Sequence, residues 1–184
     1  STRGLSAIAG LNISNTLNNV VNTFFLTMGI AISIVIGQLI GAGKLKEAKE
    51  TDTKMITFSL MISLGVSALL LIAAPLFPRI YNTTGEIRYL ATRFILVYVL
   101  ATPFNAFTNA AYFTLRSGGK TVMTFIFDSG FIWAVNVPVA MLLAHFTNLP
   151  IVWMFFIISM LDAIKSVVGF ILVKKGDWLN IIVE

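Results

Sequence analysis

Long stretches of this chain carry no charged side chain, and no other feature restricts its fold as much. No charge occurs between Arg3 and Lys44, between Lys54 and Arg79, or between Arg93 and Arg116. From Lys120 to Asp162 only Asp128 interrupts. A helix needs about 20 apolar residues to cross the hydrocarbon core of a bilayer, and each stretch supplies them. Five spans follow, over roughly 15–41, 55–77, 90–115, 121–145 and 150–173. The fold class is therefore all-α integral membrane, with five transmembrane helices. The first stretch is too long, and too rich in Gly and Asn, for a secretory leader. Composition agrees. Charged residues make up 11% of the 184, less than half the usual share, too few to cover a water-facing surface. Disorder needs low hydrophobicity, whereas 57% of this chain is hydrophobic.

Helix breakers separate the spans. Gly41-Ala42-Gly43 closes the first, Pro75 and Pro78 end the second, and Asn82-Thr83-Thr84-Gly85 forms a turn. Ser117-Gly118-Gly119 closes the third, and Asn148-Leu149-Pro150 parts the last two. Pro103 and Pro138 fall inside spans, where neighbouring helices can re-satisfy the carbonyls that proline frees. Lys and Arg set the orientation. Lys44, Lys46, Lys49, Lys54, Arg116, Lys120, Lys174 and Lys175 all fall on one side of the five spans. Arg3, Arg79, Arg88 and Arg93 fall on the other. The richer side is expected to be cytoplasmic, with the C-terminus inside and the N-terminus outside. Lys174 and Trp178 are expected to be interface anchors. The chain starts at Ser1 rather than Met on the outer side, which suggests a C-terminal fragment of a longer polypeptide. The basic residues follow this inside–outside pattern instead of forming one patch, so the net charge of +5 does not point to nucleic acid.

Polar groups within spans should face protein or water. Asn12, Asn15, Asn19 and Asn22 recur at helical spacing, continuing to Gly29, Ser33 and Gly37. Tyr98, Thr102, Asn105, Asn109, Tyr112 and Arg116 do the same in the third span. Two such stripes suggest a shared water-accessible cleft, and interhelical hydrogen bonding is the alternative. Gly37 and Gly41 form a GxxxG pair of the kind that lets helices approach. Three charges lie deep: Asp128 in the fourth span, and Asp162 and Lys165 one turn apart in the fifth. Asp128 lies roughly 10 Å from the inner end of its helix, and Lys165 roughly 13 Å from the same side. An interhelical Asp128–Lys165 pair is possible on depth, with Asp162–Lys165 competing. Such charges serve either an ion or proton relay or the structural joining of two helices.

No enzyme constellation appears. His145 is the sole histidine and sits at an outer edge, so neither a triad nor a histidine-rich metal site can form. With no cysteines, thiolate chemistry and disulfides are excluded as well. Gly118-Gly119-Lys120-Thr121 lacks the upstream glycine and preceding strand of a phosphate-binding loop. Neither Asp128 nor Asp162 stands in the catalytic frame of an intramembrane aspartyl protease.

Residues 36–48 read IGQLIGAGKLKEA. The segment resembles the "GQ-x-x-GAG-x-x-x-x-A" exit from the second helix of each lobe in multidrug and toxic compound extrusion (MATE) transporters. Leu115-Arg116-Ser117-Gly118-Gly119-Lys120-Thr121 is similar to the family's "LR-x-GD-T" turn, with Lys120 where Asp is common. Pro103 before that turn, and Lys165, Lys174-Lys175 and Trp178 near the end, follow in the family's order. The resemblance covers nearly the whole chain as helices eight to twelve of a twelve-helix protein. It implies most of the second of two six-helix lobes, a missing N-terminal lobe, and a bacterial inner-membrane location among membrane lipid. It also implies alternating access, exporting amphipathic organic cations against inflow of Na⁺ or H⁺, with no cofactor. Some members place coupling acids on the seventh and tenth helices. The stretch 90–115, which would be the tenth, holds no Asp or Glu. What the resemblance leaves here is cavity lining: Asn22, Asn105, Asn109 and Tyr112, with Asp128. A lipid-linked saccharide flippase of the same superfamily is the alternative cargo, disfavoured because Lys165 is the one basic residue deep in a span. A small non-transporting membrane scaffold is the third possibility, and it would need no polar stripes.

Overall fold

A computed structural model describes residues 2–179. Ser1 lies outside the described residues, as does the side chain of Arg3, counted above among the outer charges. Five helices long and apolar enough to cross a membrane are present. We label them α1 (Thr2–Gly41), α2 (Leu45–Leu76), α3 (Gly85–Ser117), α4 (Thr121–Phe146) and α5 (Ile151–Lys175). No strand occurs among the described residues.

The helix ends follow local chemistry. Gly43, Gly119 and Gly176 each take a positive φ of 72–78° just beyond α1, α3 and α5, where a side chain would be strained. Pro75 and Pro78 bring α2 to a close in a 3₁₀ turn, Phe77–Ile80. Thr84 caps α3 through a long 3.5 Å bond from the Ile87 amide. Glu86 in the first turn complements the positive end of the helix dipole. The first three helices start well before the expected spans. At 1.5 Å per residue α1 is about 60 Å long, about twice the hydrocarbon thickness, so helix formation outlasts the part that crosses lipid.

Three contact sets fix the arrangement. Tyr98 Oη reaches Asn15 Oδ1, and Phe113 packs on Gly29, so α1 and α3 run parallel. Thr108 and Ser166 bond, and Ala111 faces Gly169, so α3 and α5 are parallel too. Thr114 bonds Asp52 and Ser67 bonds Val99, which makes α2 antiparallel to α3. α3 is the central helix, flanked by α1, α2 and α5. Its Ala101, Ala106, Ala110 and Ala111 are buried and allow the close approach that lipid-embedded helices use in place of a hydrophobic drive.

Several expectations are corrected. Gly37 and Gly41 mediate no close approach among the described residues, where a Cβ at either would meet nothing within 4 Å. The α1 face toward the bundle passes through Phe25, Gly29, Ile32, Ile36 and Ile40 instead. Trp178 is no interface anchor. It is 1% exposed, donates its indole N–H to the Val173 carbonyl at 2.9 Å, and belongs to the core with Leu115 and Ala48. It lies against Gly118, where any Cβ would collide with the Trp178 backbone. α4 is not uniform α-helix: Ile126–Gly130 and Ile132–Asn136 are π-wound. Pro138 follows directly, and it offers no N–H to the carbonyl four residues back.

Candidate functional site

Only the later part of the third-span stripe becomes a cavity wall. Helical spacing keeps Asn105, Asn109, Tyr112 and Arg116, with Thr108, on one side of α3, whereas Tyr98 bonds Asn15 and the buried Thr102 bonds the Tyr98 carbonyl away from it. The cavity is about 510 Å³, within the range of small-molecule sites. α1 contributes Asn22 and Leu26, α4 contributes Asp128 and Ile132, and α5 contributes Asp162 and Lys165. All seven residues singled out above, namely Asn22, Asn105, Asn109, Tyr112, Asp128, Asp162 and Lys165, thus border one space.

The α1 stripe does not reach it as a unit. Asn15 instead accepts a 2.6 Å bond from Tyr98 Oη, while Asn12 and Asn19 are exposed on the outside of the bundle. The cause is geometric. At about 100° per residue, Asn15 and Asn22 lie roughly 60° around α1 from Asn12 and Asn19, so only one edge of the stripe turns toward α3.

Within the cavity Asn109 Nδ2 donates to Asn105 Oδ1 at 2.7 Å and to the Asn105 carbonyl at 3.0 Å. The amides are ordered by each other and still border the space. Tyr112 stacks edge-on against Phe113 at 5.2 Å. Lys165 Nζ donates to Asp128 Oδ1 at 2.5 Å, so of its two possible partners Asp128 is the one in contact. The pair is asymmetric: the Lys165 side chain is 8% exposed and that of Asp128 is 44% exposed. The carboxylate is reachable from the cavity, and its ammonium partner is largely not. The charged lining totals two acids, Asp128 and Asp162, and two bases, Arg116 and Lys165. Such a space suits a polar or cationic guest with some aromatic surface. Among the described residues no cluster of metal-ligating side chains occurs.

Sequence reasoning missed Thr108 and Ser166. Their hydroxyls lie 3.0 Å apart, and Ser166 also reaches the Phe104 carbonyl at 3.1 Å. This lock holds α5, and with it Asp162 and Lys165, against α3. A shared small-polar character at equal depth was the available signal. The π winding around Asp128 left no trace in residue type.

The profile of the MatE family matches residues 1–142. The "Probable multidrug resistance protein YoeA" of Bacillus subtilis is 28% identical over 154 residues, 82% of this chain and 33% of that protein. The "Probable multidrug resistance protein NorM" of Oceanobacillus iheyensis is 27% identical over 124 residues, 67% of this chain and 28% of its own length. "Multidrug and toxin extrusion protein 1" of Homo sapiens is 23% identical over 145 residues, 78% of this chain and 25% of its own. The chain thus spans a third or less of each of these curated relatives. No solved structure gives a significant match. Five lipid-length helices, the order of the glycine-rich turns and a profile match over residues 1–142 place this multi-pass membrane chain in the MatE family.

Proposed function

We propose that this chain forms helices eight to twelve of a two-lobe exporter that moves amphipathic organic cations outward by alternating access. Inflow of Na⁺ or H⁺ would drive the exchange, in a bacterial inner membrane with the C-terminus in the cytoplasm. The observation that carries the reading is the convergence of Asn22, Asn105, Asn109, Tyr112 and Asp128 from three helices on one cavity of about 510 Å³. A space bordered by amides, an aromatic pair and carboxylates offers an organic cation both solvation and charge. The relatives are named for multidrug resistance and for multidrug and toxin extrusion, which agrees with export of small molecules. A facing lobe is supported by Asn19, which lies within the first span and is exposed on α1. Amides at membrane depth need protein or water against them.

The saccharide-flippase alternative has less support, because Lys165, the deep basic residue, is already held by Asp128 and is not open to a phosphorylated headgroup. Ethidium retention in cells carrying the complete gene is the test. Expression should lower retention. Asn105→Leu, which removes an amide from the cavity wall, should raise it at least severalfold at unchanged protein level. Unchanged retention with clear membrane expression counts against export, and normal export by Asn105→Leu removes this cavity from the route.

A further inference from the structure

The Lys165 ammonium is gripped in a particular way. It donates to Asp128 Oδ1 at 2.5 Å and lies 5.3 Å from the centroid of the Phe127 ring. A carboxylate on one side and an aromatic face on another is the recognition chemistry of an organic ammonium ion. The surroundings are shaped for it. Phe127 is 4% exposed, and its ring fills the slot left by Gly169, where a Cβ would come within 3.0 Å of Phe127 Cζ. Gly169 stands one turn beyond Lys165 on α5, so the missing side chain is what admits the ring beside the ammonium. On α4 the π winding of Ile126–Gly130 places more residues in each turn than an α-helix does. The neighbours Phe127 and Asp128 therefore subtend a narrower arc and both reach the Lys165 ammonium.

We propose that Asp128 is the organic-cation cradle of this cavity, and that Lys165, steadied against the buried Phe127 ring, is its tethered resting occupant, which an incoming cation must displace. The proposal deepens the export reading, from which it takes its substrate class. Charge accounting supports displacement. α1 lends the cavity no charge, and Arg116, Asp128, Asp162 and Lys165 balance to zero. An additional cation beside an unmoved Lys165 would put two positive charges on one carboxylate in a poorly solvated space. Asp162, one turn before Lys165 on the same helix face, offers the second carboxylate. Lys165 moves its ammonium from Asp128 to Asp162, and the cation takes Asp128. Two acids and one lysine leave one seat to be exchanged, and Asp128 is the seat that faces the cavity, at 44% exposure.

The test is calorimetric titration of tetraphenylphosphonium into the protein carrying this chain, purified in detergent. Lys165→Met should bind the probe about tenfold tighter than the unmodified protein, the scale of one charge-assisted contact no longer contested. Adding Asp128→Asn to Lys165→Met should abolish that gain and leave binding weaker than in the unmodified protein. Asp162→Asn alone should weaken binding, because the displaced lysine loses its second partner. A purely structural lysine would yield weaker binding or loss of fold on removal, and never a gain. If Lys165→Met does not fold, the unmodified protein is labelled with an amine reagent and Lys165 is quantified by peptide mass. Tetraphenylphosphonium should accelerate its modification. Equal or tighter-than-wild-type binding in the Lys165→Met/Asp128→Asn double variant, no gain in a folded Lys165→Met, or unchanged or slowed labelling would each overturn the proposal. Loss of ethidium export with the binding gain intact would remove the export reading and leave the cradle. The reverse pattern would leave export and remove the cradle.

Discussion

The Asp52 side chain is 1% exposed and accepts a 2.5 Å hydrogen bond from Thr114 Oγ1, itself fully buried. A carboxyl group so placed depends on its partner, because burial without a hydrogen bond costs more than the bond returns. Thr114→Val should therefore destabilise the bundle by about 2 kcal/mol, whereas Thr114→Ser, which keeps the hydroxyl, should lose well under half of that. Thermal unfolding in detergent reads the difference, and equal losses for both variants would assign the effect to packing. Nothing in the local sequence announces Asp52. It sits among Lys49, Glu50 and Lys54, in what reads as a solvated loop. Only the progression Ala48, Asp52, Ile56, Ser59, Ser63, Ser67 puts it on the buried face of α2. Glycines show the same limit. Gly37 and Gly41 match a packing pattern yet meet nothing among the described residues, while Gly29, part of no recognised pair, is where the Phe113 ring lies. Spacing along one helix says which residues share a face. It does not say which face finds a partner.

Proline inside α3 shows how neighbouring elements compensate for a lost bond. Pro103 cannot donate to the carbonyl of Val99, four residues back. Ser67 Oγ from α2 bonds that carbonyl at 3.0 Å. The freed group is thus satisfied across the helix pair, as a lipid environment demands. Ser67→Ala should cost about 1 kcal/mol. In the Pro103→Ala background the same change should cost nearly nothing, because the new amide N–H at position 103 then closes the ladder. A double-mutant cycle on thermal stability measures this coupling, and strict additivity would mean that the Ser67 bond is incidental. Helix C-terminal ends were legible to within about two residues in each span because glycine at positive φ and proline act locally. The N-terminal ends of α1, α2 and α3 were not, since helical propensity continues through polar sequence beyond the bilayer. The π winding of α4 was illegible for a related reason. It depends on how a helix adjusts ahead of Pro138 and around its neighbours, and it leaves residue spacing unchanged. The α3 wall of the cavity was readable because it lies on one helix. The Asp128–Lys165 contact was suggested by depth alone, and Asp162 was an equal candidate until the helices were placed.

At the scale of the whole molecule, parallel packing of α1, α3 and α5 against antiparallel α2 puts the ends of the three odd-numbered helices on one side. Those ends share a design: each is followed by a glycine at positive φ, and each is flanked by Lys or Arg. Lys44 pairs with Glu47 at 3.1 Å, and Lys175 with Asp177 at 2.9 Å, yet both pairs leave exposed lysines that would resist translocation. The 147–149 connection at the far end of α4 carries no Lys or Arg. Orientation is therefore open to a direct test, and this chain contributes no cysteine of its own to the labelling. Glu47 and Asn148 are both exposed and border no cavity described above, so cysteine at either should leave the bundle intact. In intact cells a membrane-impermeant maleimide should label Asn148→Cys, and Glu47→Cys should react only after permeabilisation. The reverse pattern would invert the chain in the membrane and move Asp128 and Lys165 toward the outer leaflet. Labelling of both from one side would break the alternation of five spans. The expected result would place the Asp128–Lys165 pair nearer the cytoplasmic end of α4 and α5. Under the proposed export reading, a cation arriving from inside would then meet the exchange seat early, and the remaining path would run along Tyr112, Asn109 and Asn105 toward the outside.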